Sequence, residues 1–168
     1  MSPLEIYIDG ASKGNPGPSG IGAVICRDGQ VIKNISAYIG TGTNNVAEYR
    51  ALIWALEEGL MLKAQSVKVK TDSQLLCNQM NRVYKIKSEN IAGLYRQAQH
   101  LTEGFKDFQI DYIPRSENRG ADKLATLAIR EELRGKSGGG KNFDNWAGKA
   151  VAPRRLRRLG EESPGSEG

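Results

Sequence analysis

The stretch that decides the fold is residues 4–39, LEIYIDGASKGNPGPSGIGAVICRDGQVIKNISAYI. Apolar and polar residues alternate over residues 4–9, which is typical of a strand with one buried face. A second apolar strand is predicted over residues 20–27, and Asp28-Gly29 is a hairpin turn signal before a third strand over residues 31–39. Three successive strands joined by short turns predict an antiparallel meander.

The rest of the chain alternates helical and strand patterns. A rigid loop rich in glycine and proline is predicted over residues 10–18, between the first two strands. Downstream, the patterns predict helices over residues 43–64, 73–80, 91–104 and 119–134, and strands over residues 66–71 and 108–113. The order β-β-β-α-β-α-α-β-α predicts an α/β fold in which a five-stranded mixed sheet is flanked by helices.

Composition narrows the class of protein. The 168 residues are 39% hydrophobic, and no apolar run approaches the roughly 18 residues of a membrane span. We therefore expect no membrane segment, and the first residues lack the pattern of a secretory leader. Cys26 and Cys77 are far apart, so we expect buried, unpaired thiols and a cytoplasmic location. We also expect a monomer without an obligate protein partner.

The sequence changes character after residue 134. We predict a domain over residues 1–134 and a tail over residues 135–168 that is rich in glycine and carries +3 of the total charge of +5. Composition favours a flexible linker over residues 136–141 and disorder over residues 161–168. The basic run at residues 154–158 has three interpretations: nucleic-acid contacts, an arm docked through Trp146, or a disordered tail.

Four acidic residues lie at the edges of apolar surfaces, where burying a charged carboxylate is unfavourable. Asp9 ends an apolar strand, Glu48 shares the apolar face of the first helix, Asp72 follows a strand, and Asp122 lies in the first turn of the last helix. Ordinary explanations exist for each one. Asp72 or Asp122 could favour a helix N-terminus, and Glu48 could pair with a nearby lysine or arginine, namely Lys13 or Arg50.

Convergence of all four acids would need a further explanation. Like charges a few ångströms apart destabilise one another and raise each other's pKa. Hard divalent cations remove that penalty, because carboxylate oxygens are their preferred ligands. Two such ions could clamp a phosphate for attack by water, so the acids predict a metal-dependent phosphate chemistry if they meet in space.

Four segments of the chain resemble the motifs of type 1 ribonuclease H. They are YIDGASKGNPGP at residues 7–18, TNNVAE at residues 43–48, TDSQ at residues 71–74 and ENRGADKLA at residues 117–125. They occur in the order of that family, at plausible spacing and on the expected elements. The resemblance covers roughly residues 3–134 and implies the ribonuclease H-like fold.

The resemblance implies endonucleolytic cleavage of the RNA strand of RNA/DNA hybrids, leaving 5′-phosphate and 3′-hydroxyl ends. It also implies two Mg²⁺ ions, with Mn²⁺ as a substitute. By analogy, Asp9 bridges both ions, Asp122 helps to hold the ion that activates water, and Glu48 and Asp72 hold the ion facing the leaving oxygen. No nucleophile from the protein is then needed.

The same resemblance implies contacts with the hybrid. Backbone groups at Gly10, Ala11, Ser12 and Lys13 approach the RNA sugar, whose 2′-hydroxyl distinguishes RNA from DNA. The remaining implied contacts are Asn15, Asn44 and Asn45 in the minor groove, Gln74 beside the RNA strand and Thr43 at a DNA phosphate. The alternatives are helix capping for Asn44 and Asn45, and a stiff turn for residues 14–18.

The chain departs from the family pattern before the fourth acid. Many members carry a mobile histidine there, whereas this chain has IPRSE at residues 113–117. Arg115 is the nearest substitute, as a contact to the scissile phosphate or the product, or else a solvated arginine. The only histidine, His100, is interpreted as structural or exposed.

A second departure lies between the second and third helices. Many relatives insert a basic, tryptophan-containing protrusion there, and we expect it to be absent from this chain. Lys85 and Lys87 either replace part of the DNA-strand groove or form a solvated face.

Two other classes of function compete with hybrid cleavage. A nucleic-acid-binding module with the same fold but weak catalysis is disfavoured by the presence of all four acids. Integrases and transposases place their glutamate on the late helix, whereas here Glu48 precedes Asp72. Additional cleavage of double-stranded RNA or of RNA–DNA junctions stays open.

Overall fold

One five-stranded sheet carries the fold. The computed structural model describes residues 2–137, and the predictions for the remaining tail lie outside these residues. The strands are β1 (Leu4–Ser12), β2 (Gly17–Arg27), β3 (Gln30–Gly42), β4 (Ser66–Thr71) and β5 (Asp107–Tyr112). The helices are α1 (Asn44–Met61), α2 (Gln74–Met80), α3 (Glu89–Thr102) and α4 (Arg119–Ser137), with a 3₁₀ turn at Arg115–Glu117.

The sheet is mixed, as the sequence predicts. Its strand order is β3-β2-β1-β4-β5. The meander β1-β2-β3 is antiparallel, whereas β4 pairs parallel with both β1 and β5. The C-terminal ends of β1 and β4 therefore lie side by side, which is where catalytic and ligand-binding residues gather in sheets of this kind.

Glycine lets helix α4 approach the sheet closely. A Cβ atom on Gly22 of β2 would lie 2.2 Å from the carbonyl oxygen of Ala121, and one on Gly20 would lie 2.6 Å from that of Ala125. Only hydrogen fits at these two points, so the backbone of α4 rests directly on β2. This contact fixes the height of the first turn of α4 above the sheet.

The predicted loop over residues 10–18 is wrong in its extent. Strand β1 continues to Ser12 and β2 begins at Gly17, because Ser12 pairs with Ser19 across the ladder. The Ser12 hydroxyl donates to the carbonyl of Gly42 at 2.6 Å, and the amide of Lys13 donates to the carbonyl of Pro18 at 2.8 Å. These bonds hold a glycine-rich segment in strand geometry.

Helix boundaries differ from the predictions by a few residues. Helix α1 ends at Met61 rather than residue 64, because Lys63 adopts a positive φ of 59°. Helix α3 begins at Glu89 rather than residue 91, after Ser88. Helix α4 runs past residue 134 to Ser137, so the helix crosses the predicted domain boundary.

Two composition-based expectations can be checked on the described residues. Cys26 and Cys77 are both buried and unpaired, as predicted. Among residues 2–137, no helix combines the length and apolar character that a membrane crossing requires.

Candidate active site

The sheet register places the first and third acids side by side. Ile8 of β1 pairs with Thr71 of β4, so Asp9 and Asp72 follow adjacent positions on two parallel strands. Asp9 is only 6% exposed. Both carboxyl groups therefore emerge at the same edge of the sheet.

Because Gly10 has no side chain, the second acid, Glu48, can lie close to β1. A Cβ atom on Gly10 would lie 2.3 Å from the carbonyl carbon of Ala47, so the first turn of α1 rests directly on β1. The amide of Gly10 donates a hydrogen bond to Oε1 of Glu48 at 3.1 Å. The partner of the Glu48 carboxylate is therefore the Gly10 amide rather than the side chain of Lys13 or Arg50.

Three of the predicted acids bring their carboxylate oxygens together in one group. Carboxylate oxygens of Asp9, Glu48 and Asp72 lie within 4.8 Å of one another. Three oxygen ligands at this spacing fit a hard divalent cation such as Mg²⁺ or Mn²⁺. The convergence that the sequence could not establish is thus present in the structure.

The fourth acid borders this group of three. Asp122, in the first turn of α4, lies close enough to Asp9 to raise the pKa of the Asp9 carboxyl group. Its Oδ1 also lies 3.8 Å from Nη2 of the exposed Arg115. We call Asp9, Glu48, Asp72 and Asp122 the acid cluster.

The electrostatics of the acid cluster favour cation binding. Burial, followed by the charges of Asp72 and Asp122, raises the pKa of Asp9 to about 8. Burial and the charges of Asp9 and Asp72 likewise raise the pKa of Glu48 well above its ordinary value. Without a cation, ionising all of these carboxyl groups is unfavourable because their negative charges repel one another. A bound divalent cation offsets this repulsion.

Helix capping does not account for Asp72, whereas Asp122 lies in the first turn of α4, as the alternative interpretation expects. The side chain of Ser73, not Asp72, caps α2 by accepting from the amide of Leu76 at 3.1 Å. Thr43 caps α1 in the same way, accepting from the amide of Val46 at 3.2 Å. The side chains of Asn44 and Asn45 are therefore not needed as caps and are exposed.

The turn between β1 and β2 is tied to the start of α1. Asn15 Oδ1 accepts from the amide of Asn44 at 2.9 Å, and Asn44 Oδ1 accepts from the amide of Ser12 at 2.9 Å. Asn15 has a positive φ of 36°. This network places the predicted contact residues Asn15, Thr43, Asn44 and Asn45 around one groove of about 420 Å³.

The other predicted contact residues lie on the rim of the site. Ala11 and Ser12 are half-buried at the end of β1, Lys13 is exposed, and Gln74 is the exposed first residue of α2. Arg115 is exposed at the cluster, where its positive charge acts to lower the pKa values of Asp9 and Glu48.

Two sequence-based interpretations concern residues away from the acid cluster. His100 is exposed, and its Nδ1 lies 3.8 Å from Oε1 of Glu103, the residue that follows α3. Residues 81–88, between α2 and α3, contain no helix, and Lys85 and Lys87 line a groove of about 530 Å³.

Sequence reasoning gave no role to Asn118, although it lies within the fourth motif. Asn118 is 1% exposed, and its Nδ2 donates to the carbonyl of Ile8 at 2.8 Å. Its own carbonyl accepts from the amide of Asp122 at 3.1 Å. Asn118 thereby joins the strand residue before Asp9 to the helix that carries Asp122, and an asparagine just before a helix start was the available signal.

Comparison with known proteins agrees with this geometry. A family model described as reverse transcriptase-like matches residues 7–128. A ribonuclease H of Chlorobaculum parvum is 34% identical over 151 residues, covering 77% of this chain and 97% of the relative. A bifunctional protein of Mycobacterium tuberculosis is 41% identical over 128 residues, 75% of this chain but 35% of the relative. The chain thus spans about a third of that longer relative.

The fold also matches a solved structure of a nucleic-acid complex. LC11-RNase H1, crystallised with an RNA/DNA hybrid, is 40% identical to this chain, with a TM-score of 0.74. The match covers 77% of this chain and 99% of that protein. This chain and LC11-RNase H1 are therefore similar in sequence as well as in fold.

Proposed function

The chain belongs to the type 1 ribonuclease H family, and from that premise we propose that it cleaves the RNA strand of RNA/DNA hybrids as an endonuclease. The observation that carries the proposal is the acid cluster, in which Asp9, Glu48 and Asp72 oxygens lie within 4.8 Å of one another. The 40% identity to a relative crystallised with an RNA/DNA hybrid supports the choice of substrate.

The proposed cofactor is a pair of Mg²⁺ ions held by the acid cluster, with Mn²⁺ as a substitute. When bound, these ions activate water and neutralise the charge that develops on the phosphate and the leaving oxygen. Asp9, central to the cluster, would hold the ions together with Glu48, Asp72 and Asp122. The proposed products carry 5′-phosphate and 3′-hydroxyl ends.

The protein's own groups hold the reacting strand and the ligands in place. The amide of Gly10 orients the Glu48 carboxylate, and Asn118 fixes the strand residue that precedes Asp9. Arg115, exposed beside Asp122, is placed to contact a phosphate or the departing product. Because a guanidinium stays charged across the physiological pH range, Arg115 can bind a phosphate but cannot shuttle a proton.

The proposed substrate contacts surround this centre. Backbone groups at Gly10, Ala11, Ser12 and Lys13 face the RNA sugars, and Gln74 lies beside the same strand. Asn15, Asn44 and Asn45 enter the minor groove, and Thr43 meets a phosphate of the DNA strand. The groove that these last four residues share supports the assignment.

The proposed catalytic unit is residues 1–134, acting as a cytoplasmic monomer. The family match, over residues 7–128, lies within this unit. All four acids come from one chain, so the site needs no second copy. Two buried, unpaired cysteines fit a reducing compartment.

A labelled-hybrid cleavage assay with and without Mg²⁺ tests the proposal. We expect Mg²⁺-dependent cleavage of the RNA strand in the hybrid, and none in an all-DNA duplex. An all-RNA duplex measures whether double-stranded RNA is also cut. Absence of hybrid cleavage with either Mg²⁺ or Mn²⁺ would contradict the proposal.

A further inference from the structure

A cationic groove begins where the acid cluster ends. The groove, of about 560 Å³, runs between the end of β1 and the outer side of α4. Its β1 side is Ala11, Ser12 and Lys13, which start two residues after Asp9. We call it the α4 groove, and neither the acid cluster nor the asparagine network of α1 uses its α4 side.

Helical geometry aligns the α4 groove with the active site. At 100° per residue, Thr126, Ile129 and Leu133 lie within about 40° of Asp122 around the helix axis, so the apolar floor continues the face of that acid, and Arg130 and Arg134 lie about 80° and 120° to its side. Arg130 follows Asp122 by eight residues and Arg134 by twelve, which is about 12 and 18 Å along the axis.

The charges of the α4 groove are positive and largely available. Lys13, Arg130 and Arg134 are all exposed. Arg134 pairs with Glu131 at 3.0 Å, and the ion pairs found among the described side chains involve neither Lys13 nor Arg130. The apolar floor, Ile129 and Leu133, can accommodate sugar faces but offers no hydrogen-bonding group to read bases.

Such a surface fits a phosphate backbone. Arginine forms bidentate contacts with phosphate, and positive groups along a groove track a strand without reading its sequence. We propose that the α4 groove binds the phosphate backbone of the hybrid on one side of the cleavage point, through Lys13, Arg130 and Arg134. The proposal rests on the proposed function and adds a place where the flanking part of the substrate lies.

The distance sets the length of flank required. For a hybrid that runs along α4, 18 Å corresponds to about five base pairs beyond the cleavage point at about 3.4 Å per base pair. A hybrid whose flank on that side is shorter cannot reach Arg134. The KM of the enzyme is therefore expected to rise when one flank, and only one, falls below this length.

The first test measures the salt dependence of binding. Full-length protein and its Arg130→Glu variant are titrated onto a fluorescent hybrid in metal-free buffer at several salt concentrations. The slope of log affinity against log salt is expected to fall by about 1 for the lost phosphate contact. Arg130→Gln, which removes the charge without reversing it, is expected to lower the slope similarly while weakening affinity less.

A matched control separates a local contact from overall charge. Lys106 is exposed just before β5, at the end of the sheet opposite Asp72, and Lys106→Glu changes the net charge by the same amount. We expect Lys106→Glu to keep the wild-type slope. Equal effects of Arg130→Glu and Lys106→Glu, or an unchanged slope in Arg130→Glu, would overturn the proposal.

The second test uses cleavage with Mg²⁺ on hybrids shortened on one side at a time. Wild type should show a flank-dependent KM on one side, and Arg134→Glu, which removes the contact that sets the flank length, should lose that dependence with its kcat retained. If wild type cleaves hybrids but both proteins depend on flank length equally, the α4 groove is excluded and the proposed function stands. If wild type neither cleaves nor binds hybrids, both fail.

Discussion

Two glutamates on α1 lie ten residues apart and are held in opposite ways. Glu58 is buried and ion-paired, with its Oε1 2.7 Å from Nζ of Lys33. Glu48 receives one backbone hydrogen bond from Gly10 and faces the carboxyl groups of Asp9 and Asp72. The first arrangement neutralises a charge for stability, whereas the second leaves charge for a cation to neutralise. A burial pattern alone does not distinguish the two, but the partners do.

Replacing Asp9 should have the largest effect, because Asp9 is central to the acid cluster. We expect Asp9→Asn to lose about a thousandfold in Mg²⁺-dependent hybrid cleavage, about 4 kcal/mol of transition-state stabilisation. Initial rates on a labelled hybrid measure the loss, and a thermal melt checks that the variant is folded. Cleavage at the wild-type rate would remove Asp9 from the mechanism.

The two glutamates of α1 provide the next test, since their roles should separate. Glu48→Gln should lose about a hundredfold in activity, because it removes a ligand that serves the reaction. Glu58→Gln should keep activity within about twofold and lose about 1–2 kcal/mol of unfolding free energy, because Lys33 loses its partner. Urea unfolding and initial rates, measured on both variants, make the comparison.

The opposite pattern would reverse our assignment of the two positions. A Glu58→Gln variant that is stable but inactive would mean that the buried pair serves the reaction. A Glu48→Gln variant that is active but unstable would mean that Glu48 is structural.

Close contact at Gly10 should couple stability to activity. The Cβ of a Gly10→Ala variant would meet the backbone of Ala47 and Glu48, so α1 must shift away from β1. We expect a cost of about 1–3 kcal/mol in unfolding free energy and a fall in kcat as Glu48 moves. Gly93→Ala, at a helix position with open space around it, is the matched control and should not destabilise the protein. Equal behaviour of the two variants would contradict the close contact.

The raised pKa of Asp9 predicts a pH dependence with a definite sign. Its pKa rises on folding from 3.8 to about 8, so the folded state binds the proton more tightly than the unfolded state. The metal-free protein should therefore lose stability as pH rises from about 4 to 8. Melting temperatures without metal should fall across this range, and they should fall less for Asp9→Asn.

Divalent cations should counter that loss. Added Mg²⁺ competes with the proton for the acid cluster, so its stabilising effect should be larger at pH 8 than at pH 5. A Mg²⁺ effect on the melting temperature that is independent of pH, or absent, would contradict cation binding by these acids.

The smallest effect is expected at His100, which is exposed on α3 beside Glu103. His100→Ala should keep hybrid cleavage within about twofold, because surface substitutions away from a site rarely matter. A hundredfold loss in initial rate would show that this helix contributes to the reaction.

The strands and turns of this molecule are largely predictable from its sequence, because local patterns of residues determine where they begin and end. Strand β4 begins and ends at the residues that alternation predicts, and the turn at Asp28 and Gly29 occurs as the dipeptide indicates, with both residues at positive φ. The Asn118 bond and the close contact at Gly10 were not predicted. Both depend on distances between segments far apart in the chain, which periodicity does not encode.

The strand boundaries near residues 10–18 show a second limit. Glycine and proline predict a loop there, yet cross-strand pairing to Ser19 extends β1 to Ser12. Tertiary hydrogen bonds outweigh the local preference. The meeting of the four acids was likewise a hypothesis from the sequence, since four separate elements must be in place before the acids come together.

Anomalous scattering from a crystal grown with Mn²⁺ tests the central claim most directly. Our account predicts Mn²⁺ peaks coordinated by oxygens of Asp9, Glu48 and Asp72, with Asp122 adjoining. Peaks only elsewhere on the protein, or carboxyl groups that stay paired with protein cations while no Mn²⁺ binds, would contradict it.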